Sequence, residues 1–215
     1  MHSVSRLLAA ATGGYILGMI PSADAAVRLA GRSDLDVRRD GTGNPGGMNA
    51  SHLLGKRWGA AVTATDVGKA YVAGRIGRRL AGELGSQVAA TAAVVGHCHP
   101  VGRLGGKGVA ASIGHVAATF PVYLPVDLAV GAATSAAPWF RQRTRTATTV
   151  ASVCWVGATV LWWRRGLPNP GGTPAGPSLV AGAAVSSLVI AERFHAEVAR
   201  VDAYNARIAA EGVAA

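Results

Sequence analysis

The run Asp40–Lys56, DGTGNPGGMNASHLLGK, concentrates Gly41, Gly43, Asn44, Gly46, Gly47 and Asn49 in one short polar stretch. Glycine carries no Cβ, and asparagine tolerates the same left-handed backbone, so amide N–H groups can converge on a point. A concave nest of amides suits a phosphate or another oxyanion. A second stretch, Leu104-Gly105-Gly106-Lys107-Gly108, sets a lysine among glycines just before an apolar segment. A helix beginning there adds its own positive end to the ammonium. The bland alternative for Lys107 is a solvated turn. Two such loops between apolar segments point to phosphate chemistry at a membrane surface.

Other residues could carry chemistry. Asp66 and Lys69 stand three apart in an otherwise apolar segment. Charges in such a setting are paired or functional, so an internal ion pair and a direct role both fit. His97, Cys98 and His99 invite a metal reading, but i, i+2 spacing does not bring both histidines to one helical face, and no carboxylate completes a set. No metal or cofactor is therefore expected. Lys107 does not sit in a nucleotide-binding P-loop. That motif needs a glycine where Val101 stands and a Ser or Thr where Gly108 stands. No G-x-S-x-G element is present. Asp34, Asp36 and Asp40 lie with Arg38 and Arg39, which favours internal charge balance over a divalent-ion site.

The elements that must position these loops are apolar. Half of the 215 residues are hydrophobic and only 15% are charged, against about 25% in an ordinary soluble domain. Ala, Gly and Val dominate, as suits helices approaching closely in a bilayer. Candidate helices fall near 5–29, 57–76, 84–99, 109–123, 125–140, 146–163 and 178–194. The first resembles a signal peptide ending at Ala23-Asp24-Ala25, but its glycines and single Arg6 favour an uncleaved membrane helix. Trp162 and Trp163 before Arg164 and Arg165 read as an interfacial belt. Cys98 and Cys154 lie in different apolar stretches and read as free thiols. The net charge of +10 suits anionic lipid or substrate. Without a basic run or interleaved aromatics, nucleic acid is not the expected partner.

The expected fold is an all-α integral membrane protein of about seven transmembrane helices. Lys and Arg gather on the 28–57, 99–108 and 141–145 connections and on the C-terminal tail. By the positive-inside rule this puts both glycine-rich loops in the cytoplasm and the N-terminus outside. Residues 1–200 read as one polytopic domain and 201–215 as a cytoplasmic tail. The expected setting is a membrane, with lipids as neighbours and no obligatory protein partner.

In their order, these motifs resemble the bacterial acyl-phosphate-dependent glycerol-3-phosphate acyltransferase family, from about Gly14 to Arg145. GYILGMIP at 14–21 is similar to its first-helix motif and DVRRDGTGNPGGMN at 36–49 to its long glycine-rich motif. DVGK at 66–69, GHCHP at 96–100 and GGKGVA at 105–110 resemble its further elements. The resemblance implies a seven-helix enzyme that moves a fatty acyl group from acyl phosphate to the 1-hydroxyl of glycerol 3-phosphate. Lysophosphatidic acid and phosphate would be the products. Neither acyl-carrier protein nor coenzyme A would be the direct donor, and the family's lack of a histidine–aspartate box is matched here.

The same resemblance implies roles. Lys107, Thr42 and Asn44 would be catalytic, with amides around Gly43, Asn44 and Gly46 on the donor phosphate. Gly43, Gly46, Asn49, His52, Gly105, Gly106, Gly108, Arg145, Thr148 and His195 would bind substrates. Asp66, Lys69 and His97 would support them. The chain departs from the pattern where Met48 and His52 replace Thr and Arg, and where Val198 replaces Asn. Those departures bear on the acceptor more than on the fold. They leave open a relative with another acceptor or one without catalysis; a membrane transporter or scaffold is a separate alternative.

Overall fold

The structure, a computed structural model, describes residues 4–137 and 143–210. Arg141 of the expected basic connection, residues 138–140 of the expected fifth helix and residues 211–215 of the tail lie outside these. The described residues form helices and connecting loops without a strand: α1 Val4–Gly18, α2 Ser22–Leu29, α3 Gly47–Leu54, α4 Lys56–Cys98, α5 Val109–Thr119, α6 Leu124–Ala136, α7 Arg143–Arg165 and α8 Pro177–Ala210. A 3-10 turn, Pro121–Tyr123, joins α5 to α6.

Several expected boundaries move. The first segment is interrupted at Met19–Pro21, where the proline denies the helix an amide donor, and α2 follows as a separate short helix. The two expected helices 57–76 and 84–99 are the arms of α4, folded at Ala81 and Gly82. Gly82 takes φ 63° and ψ −152° there, a conformation only glycine adopts readily. The Asp40–Lys56 stretch is not all loop, because its second half is α3. α8 runs past residue 200 without a break to Ala210.

Small residues bring the backbones together. A Cβ on Gly14 or Gly18 would run into the carbonyl of Ala89 or Ala93, and one on Gly96 into that of Tyr15, so α1 lies flush on the second arm of α4. One core joins Ala10, Ala89, Ala93, Val94, Cys98 and Ile190 across α1, α4 and α8. A second, under the first glycine loop, holds Ala23, Val27, Val37, Ala50 and Val62. A third is aromatic: Phe120 stacks on Tyr123 at 5.3 Å and meets Trp162 edge-on at 5.4 Å.

Among the described residues, three stretches are long and apolar enough to cross a membrane: Val4–Leu29, Thr144–Arg165 and Pro177–Val198. A fourth is the pair Val109–Thr119 and Pro121–Ala136, bent by 120°. At one end of the bundle, Arg75 and Arg78 donate to the Gly171 carbonyl and clamp the 166–176 turn against the fold in α4. The two glycine-rich loops occupy the other end.

Candidate active site

The first loop is built around Asn49. Its side chain is fully buried. Oδ1 accepts the Thr42 amide at 2.8 Å, while Nδ2 donates to the carbonyls of Val37 and Asp40, each at 3.0 Å. The Gly43 amide donates to Asp40 O and that of Gly46 to Asn44 O. The amides of Thr42, Gly43 and Gly46 are therefore spent on turns, which corrects the expectation that Gly43 and Gly46 offer theirs to a phosphate. The amides left without an intrahelical acceptor are those of Gly47, Met48 and Asn49, in the opening turn of α3. Gly47 is tight against α4, where a Cβ would strike Thr63 and the Gly59 carbonyl. Thr42 and His52 are exposed, and Asn44 is half-buried.

Beneath the loops lies a buried polar knot. The Asp66 carboxylate meets Lys69 Nζ at 2.9 Å, accepts Ser22 Oγ at 2.6 Å and has His97 Nδ1 at 3.5 Å. Lys69 also donates to Ile20 O at 3.2 Å, inside the α1–α2 break. Of the two readings open for Asp66 and Lys69, the geometry is that of an internal pair. It ties the break in the first segment to both arms of α4. His97 extends the knot upward: a Cβ on Gly106 would collide with its imidazole, and the Gly106 amide donates to His97 O at 3.1 Å.

Arg38, which sequence reasoning left as a charge-balancing residue, joins the two loops. Its guanidinium grips both oxygens of Asp24, at 2.5 and 2.9 Å, while Nε donates to Leu104 O at 3.0 Å. The hydrogen bonds to Asp24 raise the pKa of the guanidinium above its ordinary value. Arg103 reaches back to Met19 O. Arg38 and Pro45 of the first loop share a cavity of about 20 Å³ with Leu104, Gly105 and Gly106 of the second. The spacing of DVRRD could have hinted at this, since Arg38 alternates with Arg39 about a turn, but nothing in the sequence identified Leu104 as its partner.

The second loop ends at Gly108, whose φ of 86° turns the chain into α5. Lys107 is partly buried and stands 2.7 Å from Glu197 of α8, with its ammonium 5.0 Å from the Phe194 ring centroid. Arg193 of α8 donates to the carbonyls of Gly105 and Gly106 at 3.0 and 3.2 Å. Sequence reasoning missed Arg193, Phe194 and Glu197. His195, which it chose, is exposed on the same helix. From Phe194 a groove of about 600 Å³ runs between α7 and α8, lined by Arg145, Thr148, Ser152, Val156, Leu188 and Ile190. The Thr148 hydroxyl donates to the Thr144 carbonyl of its own helix.

The arrangement joins a helix N-terminus, two amide-rich turns and a lysine at one end of a helical bundle, beside an apolar groove. It can hold a phosphate next to a long apolar chain.

A family model described as glycerol-3-phosphate acyltransferase matches residues 8–203. A protein of that name from Symbiobacterium thermophilum is 40% identical over 132 residues, covering 60% of this chain and 64% of the relative. One from Exiguobacterium sibiricum is 43% identical over 119 residues, covering 54% and 56%. The alignments thus span about three fifths of the length of these curated relatives. Among solved structures, PlsY (YgiH), an integral membrane glycerol 3-phosphate acyltransferase in its glycerol 3-phosphate form, superposes with a TM-score of 0.71 at 26% identity over 91% of each chain.

Proposed function

The chain belongs to the glycerol-3-phosphate acyltransferase family, and from that membership we propose that it transfers a fatty acyl group from acyl phosphate to the 1-hydroxyl of glycerol 3-phosphate. The carrying observation is the meeting of the two glycine loops, bolted together by Arg38 on Leu104 O, beside Lys107 at the start of α5. Lys107 neutralises the donor phosphate, with Thr42 and Asn44 completing its hold and the amides of Gly47 and Met48 facing the anion. The 1-hydroxyl oxygen attacks the acyl carbon. The bond from that carbon to the phosphate oxygen breaks, and the hydroxyl proton ends on phosphate. Orientation and charge stabilisation are the main catalytic terms, since the leaving group is already good.

Asn49 acts by holding the loop, Asp66, Lys69 and His97 by supporting it, and Gly105, Gly106 and Gly108 by admitting close backbone approach. The α7–α8 groove receives the acyl chain, with Arg145, Thr148 and His195 near its mouth. The chain crosses a bacterial inner membrane seven times, counting the two arms of α4 and counting α5 and α6 separately. The glycine loops then lie in the cytoplasm and the N-terminus outside.

A second reading, an acceptor other than glycerol 3-phosphate, draws on one observation. Met48 is 56% exposed and His52 is exposed on α3, at the positions where the resemblance implies Thr and Arg. Acyl phosphate hydrolysed or transferred with glycerol 3-phosphate against other polyols separates the two readings. A preference for glycerol 3-phosphate supports the first, and indifference to it supports the second. The transporter alternative gains nothing from Asp66 and Lys69, whose charges are fully partnered.

A further inference from the structure

The polar and aromatic side chains Arg193, Phe194 and Glu197 of α8 reach the second glycine loop. Arg193 holds the Gly105 and Gly106 carbonyls through Nη2 and Nε. One helical turn on, Glu197 Oε2 stands 2.7 Å from Lys107 Nζ. Between them Phe194, 6% exposed, presents its ring to the same ammonium. Spacing of i, i+4 sets Arg193 and Glu197 on one face of α8.

Each contact has a consequence for an anion at this loop. Peptide carbonyls repel a phosphate, and Arg193 takes two of them. Together with the Gly106 amide on His97 O, this leaves the loop unable to turn without losing three hydrogen bonds. Lysine carries its charge on a four-carbon stem that many rotamers fit. Glu197 selects one of them, and the Phe194 ring closes one side. A carboxylate so close also shares the lysine's charge, which weakens its hold on any anion that has yet to react.

We propose that Arg193 and Glu197 are positioning residues for Lys107: Arg193 fixes the backbone that carries it and Glu197 fixes the direction of its ammonium. The inference rests on Lys107 acting on phosphate, as in the proposed function. Neither residue contacts substrate. Loss of the Glu197 charge frees Lys107 to bind anions more tightly but lets it wander, so KM falls while kcat also falls. A merely structural ion pair would lower the melting temperature without that split.

The test uses the full chain in detergent micelles, with acyl phosphate and glycerol 3-phosphate as substrates and inorganic phosphate as a binding probe. Glu197→Gln should lower the KM for acyl phosphate by about threefold and kcat by about tenfold, and should tighten phosphate binding by about threefold. Arg193→Lys should lose as much kcat as Arg193→Gln, because a lysine keeps the charge but cannot reach both carbonyls. If Glu197→Gln does not fold, Glu197→Asp decides. It keeps the charge on a shorter reach, so kcat should fall with KM unchanged. For either Glu197 variant, kcat within about twofold of wild type would overturn the inference. A KM raised by Glu197→Gln would overturn it equally. A wild-type protein without turnover would count against the proposed function instead. The phosphate titration then still decides the positioning role: tighter binding by Glu197→Gln upholds it, and unchanged binding ends it.

Discussion

Asn49→Ala separates a residue that holds the loop from one that touches substrate. The substitution removes three hydrogen bonds, from the Thr42 amide and to the carbonyls of Val37 and Asp40. Val37 is 2% exposed, so its carbonyl finds no water, at a cost of about 1–3 kcal/mol. The groups on Thr42 and Asp40 lie toward solvent and rehydrate, each losing about 0.5–1 kcal/mol. The total, about 2–5 kcal/mol, falls on the loop and not on the helices around it. Hydrogen exchange followed by mass spectrometry should show segment 37–44 exchanging roughly 30- to 5000-fold faster, with α1 and α4 unchanged. The same disorder should lower kcat/KM for acyl phosphate by at least about tenfold. Asn49→Asp should not rescue it, because a carboxylate would face two carbonyls. Exchange and kcat/KM both within about twofold of wild type would refute the reasoning. A raised KM with unchanged exchange would return Asn49 to substrate contact.

Lys107→Met should depress kcat by about 10²-fold or more while the protein still elutes as a folded species, since the lysine is partly exposed. Unchanged turnover would remove Lys107 from the site. Asp66→Ala leaves the Lys69 ammonium buried without its counter-charge and should cost about 3–5 kcal/mol, read as a lower melting temperature in detergent. Arg38→Gln unties the loops from each other and from Asp24. It should reduce kcat/KM by about tenfold or more without shifting α4 exchange. His52→Arg should preserve or raise glycerol 3-phosphate use if α3 meets the acceptor, and an unaltered acceptor KM would count against that placement.

The two glycine loops, the pairing of Asp66 with Lys69 and the apolar segments were legible because each rests on local chemistry. Glycine runs mark turns, and isolated charges in apolar stretches need partners. What the loops do with their amides was not legible. Thr42, Gly43 and Gly46 look free in sequence, and only the fold shows Asp40, Asn44 and Asn49 consuming their donors. α3 was missed because GMNASHLL carries no strong apolar period and follows three glycines. Arg193 and Glu197 were missed because their partners lie about ninety positions away, and helical periodicity says only that they share a face. Arg38 was read through its neighbours Asp36 and Asp40, whereas it reaches Asp24 and Leu104.

Acyl transfer itself is the most direct measure of the account. Purified protein would be given a defined acyl phosphate, with and without glycerol 3-phosphate, while phosphate release and lipid product are followed together. The predicted result is equimolar phosphate and lysophosphatidic acid that appear only with acceptor and are abolished by Lys107→Met. Phosphate release indifferent to acceptor, or no lipid product from a folded protein, would contradict it.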